Sequence, residues 1–200
     1  LLTADLDQDI TSACTGGGNS TVFGTLEINK VSAINKAVRQ NSTFNPYLNG
    51  HYADTLILTS GELNLNRKTF TLQTNSANAL QRTNGWIRSE DNVGGTAGTI
   101  ESKFAWKIGS GTTGTYSVPF KNTTTGTSVF KLKFAKNVAA DSIGVLTVGT
   151  YSTATNNTPY TFPSLPAGDP LHVISMLTNP SPVLDATPWT VDRFWYIDRT

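Results

Sequence analysis

The sequence has 200 residues, a length typical of one domain or at most two small ones. Its formal net charge of +1 excludes non-specific electrostatic binding of the whole chain to nucleic acid or to an anionic membrane. Only 14% of the residues are charged, whereas Thr, Ser and Asn number 31, 16 and 17, a balance typical of an exported β-rich chain rather than of a cytosolic enzyme.

The first twelve residues alternate between apolar and polar positions, which predicts a β-strand. Leu2, Leu6 and Ile10 lie on its apolar side, and aspartates at positions 5, 7 and 9 form an acidic outer edge. Calcium loops also place carboxylates at alternate positions, but this segment lacks the Gly and Glu that an EF-hand has at its sixth and twelfth positions. We therefore expect a solvated strand face and no metal site.

Residues 13–54 mix short strand signals with loop. Cys14 is the only cysteine of the sequence, so no intrachain disulfide can form, and it lies in a Gly-rich turn. Residues 22–28 alternate and predict a strand. The apolar spacing within 32–40 is three and four residues, which predicts a short helical turn.

From residue 55 onward, the sequence predicts strand after strand. Short alternating runs are separated by a few turn residues, which suits hairpins or, over about residues 20–75, the coils of a small solenoid. We expect residues 55–200 to form the main β-sandwich domain. Residues 1–54 are then an N-terminal strand and loop region that packs on this domain or is donated from it.

Three consecutive alternating runs between residues 99 and 134 predict an antiparallel meander, because short polar connections join them. One of its faces carries lysines, and the other is apolar and needs a second sheet to cover it. The apolar face consists of Phe104, Trp106, Tyr116, Phe120, Phe130, Leu132 and Phe134. With further strands predicted at 143–151, 171–176 and 189–197, the expected fold is all-β. Its expected architecture is a mostly antiparallel β-sandwich with a short solenoid-like N-terminal stretch.

Gly109–Gly114 matches the G-x-G-x-x-G pattern of dinucleotide-binding loops. That function needs a helix directly after the loop and an acidic residue about 20 positions further on. In this sequence another strand follows, and Lys131 and Lys133 occupy the later positions. We therefore interpret the segment as a hairpin turn and expect no cofactor.

No residue pattern indicates catalysis. His51 and His172 lie in unrelated contexts, no G-x-S-x-G elbow is present, and no pair of carboxylates stands out as a general acid and base. We expect no enzyme activity, no catalytic residues and no metal-binding residues. Trp86, next to a turn, is the best candidate for stacking on a sugar ring.

The termini and the hydropathy of the sequence bear on its location. No stretch approaches the roughly 20 apolar residues of a membrane-spanning helix, so we expect no membrane insertion. The chain starts at Leu1 rather than Met, and we expect a processed product or a segment of a longer protein. No signal peptide is visible, so export is inferred from composition and from the resemblance described next.

Three phrases follow one another along the chain: GELNLNRKTFTL at 61–72, WKIGSGTTGTYSVPF at 106–120 and VDRFWYI at 191–197. They resemble phrases of the adhesin-like, β-rich cell-surface proteins that Bacteroidota export through the type IX, gliding-associated secretion system. The resemblance implies an extracellular, cell-surface location, and the family carries no motif-level catalytic residues. Arg67 and Lys121 stand where the family phrases have Gly, and Arg67 argues against an Asn-Gly type I′ turn.

The resemblance also implies glycosylation. Bacteroidota attach O-glycans to Ser or Thr within Asp-Ser/Thr followed by an apolar residue. The tripeptides at 54–56 and 141–143 fit this pattern. Thr55 and Ser142 are therefore the candidate O-glycosylation sites.

The sequence thus predicts an extracellular structural or adhesive module of the cell surface. One alternative is a filament subunit, because the strand over 1–12 has no evident hairpin partner and would complete a neighbour's sheet edge through Leu2, Leu6 and Ile10. Another alternative is a carbohydrate-binding module that stacks sugars on aromatic residues, either Trp86 or Tyr47 and Tyr52. A last alternative is a glycan-degrading enzyme whose acid and base carboxylates would meet only in the folded chain. The expected partners are other copies of the chain, other segments of a larger surface protein, or glycans, and not nucleic acid.

Overall fold

The computed structural model describes residues 8–11, 22–30, 37–41, 51–89, 102–121, 129–152 and 193–200. Their regular structure consists of β-strands and one 3₁₀ turn, Ala77–Ala79, so the all-β prediction is confirmed. In chain order the strands are β1 (Gln8–Thr11), β2 (Val22–Asn29), β3 (Ala37–Asn41), β4 (Tyr52–Ser60), β5 (Glu62–Asn64), β6 (Thr69–Leu72), β7 (Leu80–Arg82), β8 (Trp86–Arg88), β9 (Lys103–Lys107), β10 (Gly114–Lys121), β11 (Val129–Lys136), β12 (Val145–Ser152) and β13 (Arg193–Arg199).

These strands form two mixed sheets. Sheet I has the order β1-β3-β5-β8-β10-β11, and sheet II has the order β13-β12-β9-β6-β4-β2, with β7 also beside β4. From β1 to β10 successive strands alternate between sheet I and sheet II, except that β6 and β7 both lie in sheet II, and strands one coil apart pair in parallel. Leu56 is level with Leu80 in sheet II, and Leu63 with Ile87 in sheet I, both 24 residues apart. The predicted solenoid-like stretch is therefore present and extends as far as β10.

Glycines make two of the sharp passages from sheet II to sheet I. Gly61, between β4 and β5, has a φ of 84°, a conformation that favours glycine. One coil later, Gly85 precedes β8, and its N–H donates to the Leu58 carbonyl at 3.1 Å. A Cβ on Gly85 would lie 2.9 Å from the Leu58 Cβ. The coils approach this closely only because Gly85 has no side chain.

Antiparallel pairing is confined to the later strands. β10 pairs with β11, and β12 pairs with both β9 and β13. The other pairings among the described strands are parallel. The sandwich predicted as mostly antiparallel is thus parallel through the stacked coils, because alternation assigns a face to a strand but not the direction of its neighbour.

The meander predicted over 99–134 needs a correction. β9 lies in sheet II, whereas β10 and β11 form an antiparallel pair in sheet I. Gly109–Gly114, predicted as a hairpin turn, instead connects the two sheets. Trp106 and Tyr116 point into the core as predicted, but they do so from facing sheets.

The helical turn predicted over 32–40 is wrong for its described part, because Ala37–Asn41 is strand β3. Val38 is fully buried and level with Leu63 of β5. A short apolar run fits either a helix or a buried strand by spacing alone, and pairing with β1 and β5 decides for the strand. Residues 32–36 lie outside the described residues.

The turn between β5 and β6 also differs from the expectation. Asn66 and Arg67 both have positive φ, 44° and 64°. The Lys68 N–H donates to the Leu65 carbonyl at 2.9 Å, so the four residues form a turn of the type I′ pattern. The turn forms although Arg67 replaces glycine, and the Arg67 N–H donates to Ser102 Oγ at 2.8 Å.

The core lies between the two sheets and contains most of the aromatic rings. Trp106 of sheet II meets Tyr116 of sheet I edge to face. Trp195 of β13 contacts Phe120 and Phe130 of sheet I, with ring centroids 6.1 and 5.8 Å away. All seven residues of the predicted apolar face belong to this core: Phe104, Trp106, Tyr116 and Phe120 are buried, and Phe130, Leu132 and Phe134 pack against them half-buried.

The described strands also bear on the predicted division of the chain. β4 includes residues on both sides of the position-54 boundary, and β1, β2 and β3 belong to the same two sheets as the later strands.

Among the residues that the structure describes, no helix is long and apolar enough to cross a membrane. The strand predicted at 171–176, together with Cys14, Tyr47 and His172, lies outside the described residues.

Candidate interaction surface

The outer surface of sheet I carries the most distinctive polar cluster of the described residues. Alternation along β5, β8 and β10 directs Leu63, Ile87 and Phe120 into the core, where all three are buried. Their chain neighbours therefore face outward. Glu62 and Trp86 occupy level positions of β5 and β8 on this outer surface.

Trp86 is fixed at its polar edge. Its Nε1–H donates to Glu62 Oε2 at 2.9 Å. Glu62 is only 3% exposed, and its second oxygen lies 3.5 Å from Arg88 Nη1. The buried carboxylate is therefore compensated by a neutral donor and a cation, as a buried acid requires.

Lys121 covers one face of the same indole. Its Nζ lies over the Trp86 ring, 4.1 Å from the ring centroid. A cation at this distance is attracted by the negative face of the ring. Trp86, predicted to stack on a sugar, thus holds a lysine ammonium on that face.

Two more lysines extend the cationic character onto β11. Lys131 and Lys133 are exposed and point away from the core, since Phe130 and Leu132 point into it. Lys131 is level with Pro119 and Lys133 with Ser117 of β10. We call Arg88, Lys121, Lys131 and Lys133 together the basic face.

The structure does not bring the predicted glycosylation sites to the basic face. Thr55 lies on β4 of sheet II, half-buried, and follows the exposed Asp54. Ser142 is exposed in the loop between β11 and β12, beside the exposed Asp141. Both positions remain candidate O-glycosylation sites.

The predicted strand-exchange anchors fall mostly outside the described residues. Leu2 and Leu6 lie there, whereas Ile10 belongs to β1 and is level with Gln40 of β3. β1 therefore pairs in parallel with a strand of its own chain. It is the terminal strand of sheet I among the described strands.

The backbone polar groups of the glycine-rich Gly109–Gly114 segment form hydrogen bonds within the chain. The Gly109 N–H donates to the Gly144 carbonyl, and the Gly111 N–H donates to the Ala139 carbonyl. The buried Lys136 ammonium donates to the Thr112 carbonyl at 2.6 Å. A phosphate cradle needs such amides turned toward a ligand, so this loop serves as a sheet-to-sheet connection.

Two other buried polar residues, Ser89 and His51, are also packed within the fold. Ser89 Oγ donates to the Thr150 carbonyl at 2.6 Å and accepts from the Thr150 N–H at 3.0 Å, which ties the end of β8 to β12. His51 lies 6.3 Å from the Phe23 ring, centroid to centroid, and burial lowers its pKa below the ordinary 6.5. Within the described residues, no group of three or more His, Cys, Asp or Glu side chains is placed to hold a metal ion.

Local sequence patterns single out Trp86 but not Glu62 or Arg88. Glu62 is level with Trp86 because one coil contains 24 residues at this point. A signal was present in the sequence: Gly61 and Gly85 are 24 positions apart, and each is followed two positions later by a large aliphatic residue, Leu63 or Ile87. A search for a repeat of that length would have placed Glu62 beside Trp86.

Comparison of the chain with protein-family models, with curated proteins and with solved structures finds no match.

Proposed function

We propose that this chain is an extracellular, cell-surface structural or adhesive module without catalytic activity. The Thr-, Ser- and Asn-rich composition and the resemblance to exported adhesin-like proteins support the location. The stacked coils support the structural role, since each coil hydrogen-bonds to the next in both sheets.

The proposal is supported chiefly by two features together: a continuous core between the sheets and the cations on the outer surface of sheet I. Ser89, Lys136 and Glu62 are buried polar residues bonded to groups of the chain itself, so they stabilise the fold. The basic face, by contrast, is presented on a regular sheet surface. Such a surface suits contact with an extended partner rather than enclosure of a small substrate.

The test is retention under flow. Beads that carry the purified chain are passed over films of neutral polysaccharide, acidic polysaccharide, protein and the chain itself, and soluble sugar release is measured at the same time. Beads that carry the heat-unfolded chain are the control. Retention of the folded chain on at least one film without sugar release supports the proposal, and steady sugar release or no retention on any film contradicts it.

A filament subunit that assembles by strand exchange is the second candidate. The observation that favours it is the position of β1, a four-residue strand at the end of sheet I that pairs only with β3 among the described strands. An edge strand of this kind can leave its sheet without disturbing the other pairings. Deletion of residues 1–12 should abolish polymers while the remainder stays folded, whereas a chain that never polymerises at high concentration excludes this candidate.

A further inference from the structure

We propose that the basic face binds a linear acidic polysaccharide through carboxylate groups spaced along the polymer. The proposal rests on the proposed extracellular role only for the setting in which such a polymer is met. The charges and positions of the described residues define the site itself.

The outer surface of sheet I has an excess of positive charge. The outward positions of β5, β8, β10 and β11 carry four cations, which are the basic face, and one carboxylate, Glu62. The whole chain has a net charge of only +1. The outward positions of these four strands are therefore more positive than the chain as a whole.

The single carboxylate leaves three cations uncompensated. Glu62 is buried and lies beside Arg88, so these two charges offset each other. Lys121, Lys131 and Lys133 form no ion pair with a carboxylate of the described residues. Their field is directed to solvent, where it attracts an anion.

Lys121 is also held in place before any ligand binds. Its ammonium lies over the Trp86 ring, and the Trp86 ring is held by its hydrogen bond to Glu62. An ordered cation loses less conformational entropy on binding an anion than a free lysine does. Trp86 thereby serves as a positioning residue for Lys121.

The spacing of the cations favours a polymer. Lys131 and Lys133 are two residues apart on one strand, which separates their Cα atoms by roughly 6.6 Å. Lys121 is level with Val129 on the neighbouring strand, so it is diagonal to Lys131 at about 7–8 Å. The Lys121 ammonium lies over Trp86 of β8, so the cations extend from β8 to β11 across the sheet. Cations spread in this way match repeated anionic groups along an extended chain better than a single small anion.

Polysaccharide is favoured over nucleic acid by the number of cations. Proteins that grip nucleic acid through its backbone commonly neutralise about 6–10 phosphates, whereas the basic face has three uncompensated lysines. The flat sheet surface also lacks an element that enters a groove, because its outward residues lie on β-strands of one sheet.

The experiment measures binding of the purified chain to polygalacturonate by calorimetry at low and high salt. Neutral dextran and single-stranded DNA are the comparison ligands. The proposal expects binding to polygalacturonate that weakens with salt, no binding to dextran, and weaker binding to DNA. Equal binding to dextran, tighter binding to DNA, or no binding to polygalacturonate overturns it.

The affinities of matched variants for polygalacturonate test whether the basic face is the binding site. The double variant Lys131→Gln, Lys133→Gln should weaken binding by about tenfold. Lys131→Arg, Lys133→Arg should retain binding, and so should Lys107→Gln, which removes an exposed lysine from β9 in sheet II. Equal weakening by Lys107→Gln and the double Gln variant contradicts the site.

Two further readouts separate binding from structure. Lysines on a terminal strand also discourage edge-to-edge association, so light scattering must show that each variant remains in the state of the wild type. Trp86→Phe, which loses the bond to Glu62, should weaken polygalacturonate binding less than the double Gln variant and change its salt dependence little. If polygalacturonate is not bound but beads are still retained on another film, this inference fails while the proposed function stands.

Discussion

Trp106 and Tyr116 meet edge to face across the two sheets, with ring centroids 5.1 Å apart and ring planes at 86°. Each ring also donates a hydrogen bond to one of two adjacent carbonyls: Trp106 Nε1 to Thr74 at 3.0 Å, and Tyr116 Oη to Asn75 at 2.9 Å. The segment after β6 is thus held by both sheets at once. This junction joins the stacked coils to the antiparallel strands.

The Tyr116 hydroxyl should therefore contribute measurably to stability. We expect Tyr116→Phe to lower the free energy of unfolding by about 0.5–1.5 kcal/mol, because it removes a buried donor to the Asn75 carbonyl. Tyr52→Phe is the matched control, since the Tyr52 side chain is half-buried and its hydroxyl bonds no described residue. Urea titration of both variants measures the difference, and equal losses would contradict the role assigned to Tyr116.

For the Trp106–Tyr116 pair, the sequence predicts burial but not the sheet to which each residue belongs. Alternation correctly places both rings in the core, because the side-chain period of a strand is two. It does not tell whether two successive strands are neighbours in one sheet or face each other from two sheets. Both arrangements bury the same residues, and only the connection at Gly109–Gly114, held by bonds to Ala139 and Gly144, decides between them.

The same limit applies to the basic face. The lysines of β11 were predicted to lie opposite the apolar face, and they do. The neighbours of Trp86 were not predictable from local spacing, because Glu62 comes from the previous coil and Lys121 from the next. Parallel stacking brings together residues 24 or more positions apart, which no local pattern reports.

Arg67 is a strained residue whose replacement should stabilise the protein. Its φ of 64° is a left-handed conformation that costs a residue with a Cβ about 1–2 kcal/mol. We expect Arg67→Gly to raise the free energy of unfolding by about 0.5–1 kcal/mol, since part of the gain is offset by the flexibility of glycine and by the lost Arg67 side chain. Thermal and urea unfolding check this, and Arg67→Ala, which keeps the Cβ, should bring no such gain.

Gly85 should tolerate no side chain. We expect Gly85→Ala to lower the free energy of unfolding by about 1–3 kcal/mol, because the new Cβ would lie 2.9 Å from the Leu58 Cβ and 3.0 Å from its backbone carbonyl carbon. Gly24→Ala in β2 is the control, since no atom lies within 4 Å of its added Cβ. That variant should change stability by less than about 0.5 kcal/mol. Comparable losses in the two variants would argue against close stacking of the coils.

His51 should make stability depend on pH in a narrow window. Its folded-state pKa is lowered by burial, so below pH 6.5 the unfolded chain binds a proton that the folded chain does not. The His51 contribution is constant above 6.5 and falls with decreasing pH, by at most about 1.4 kcal/mol per pH unit, until the lowered pKa is reached. The His51→Gln variant removes this term. Urea titrations of both proteins between about pH 5 and 8 measure it, and parallel stability curves would show that His51 is not buried.

We propose that this chain acts on the outside of the cell. The most direct measurement is labelling of the source organism with antibody fragments raised against the purified chain, on intact and on permeabilised cells. We expect equal labelling of both preparations and loss of the signal when intact cells are treated with protease. Labelling that appears only after permeabilisation would contradict it.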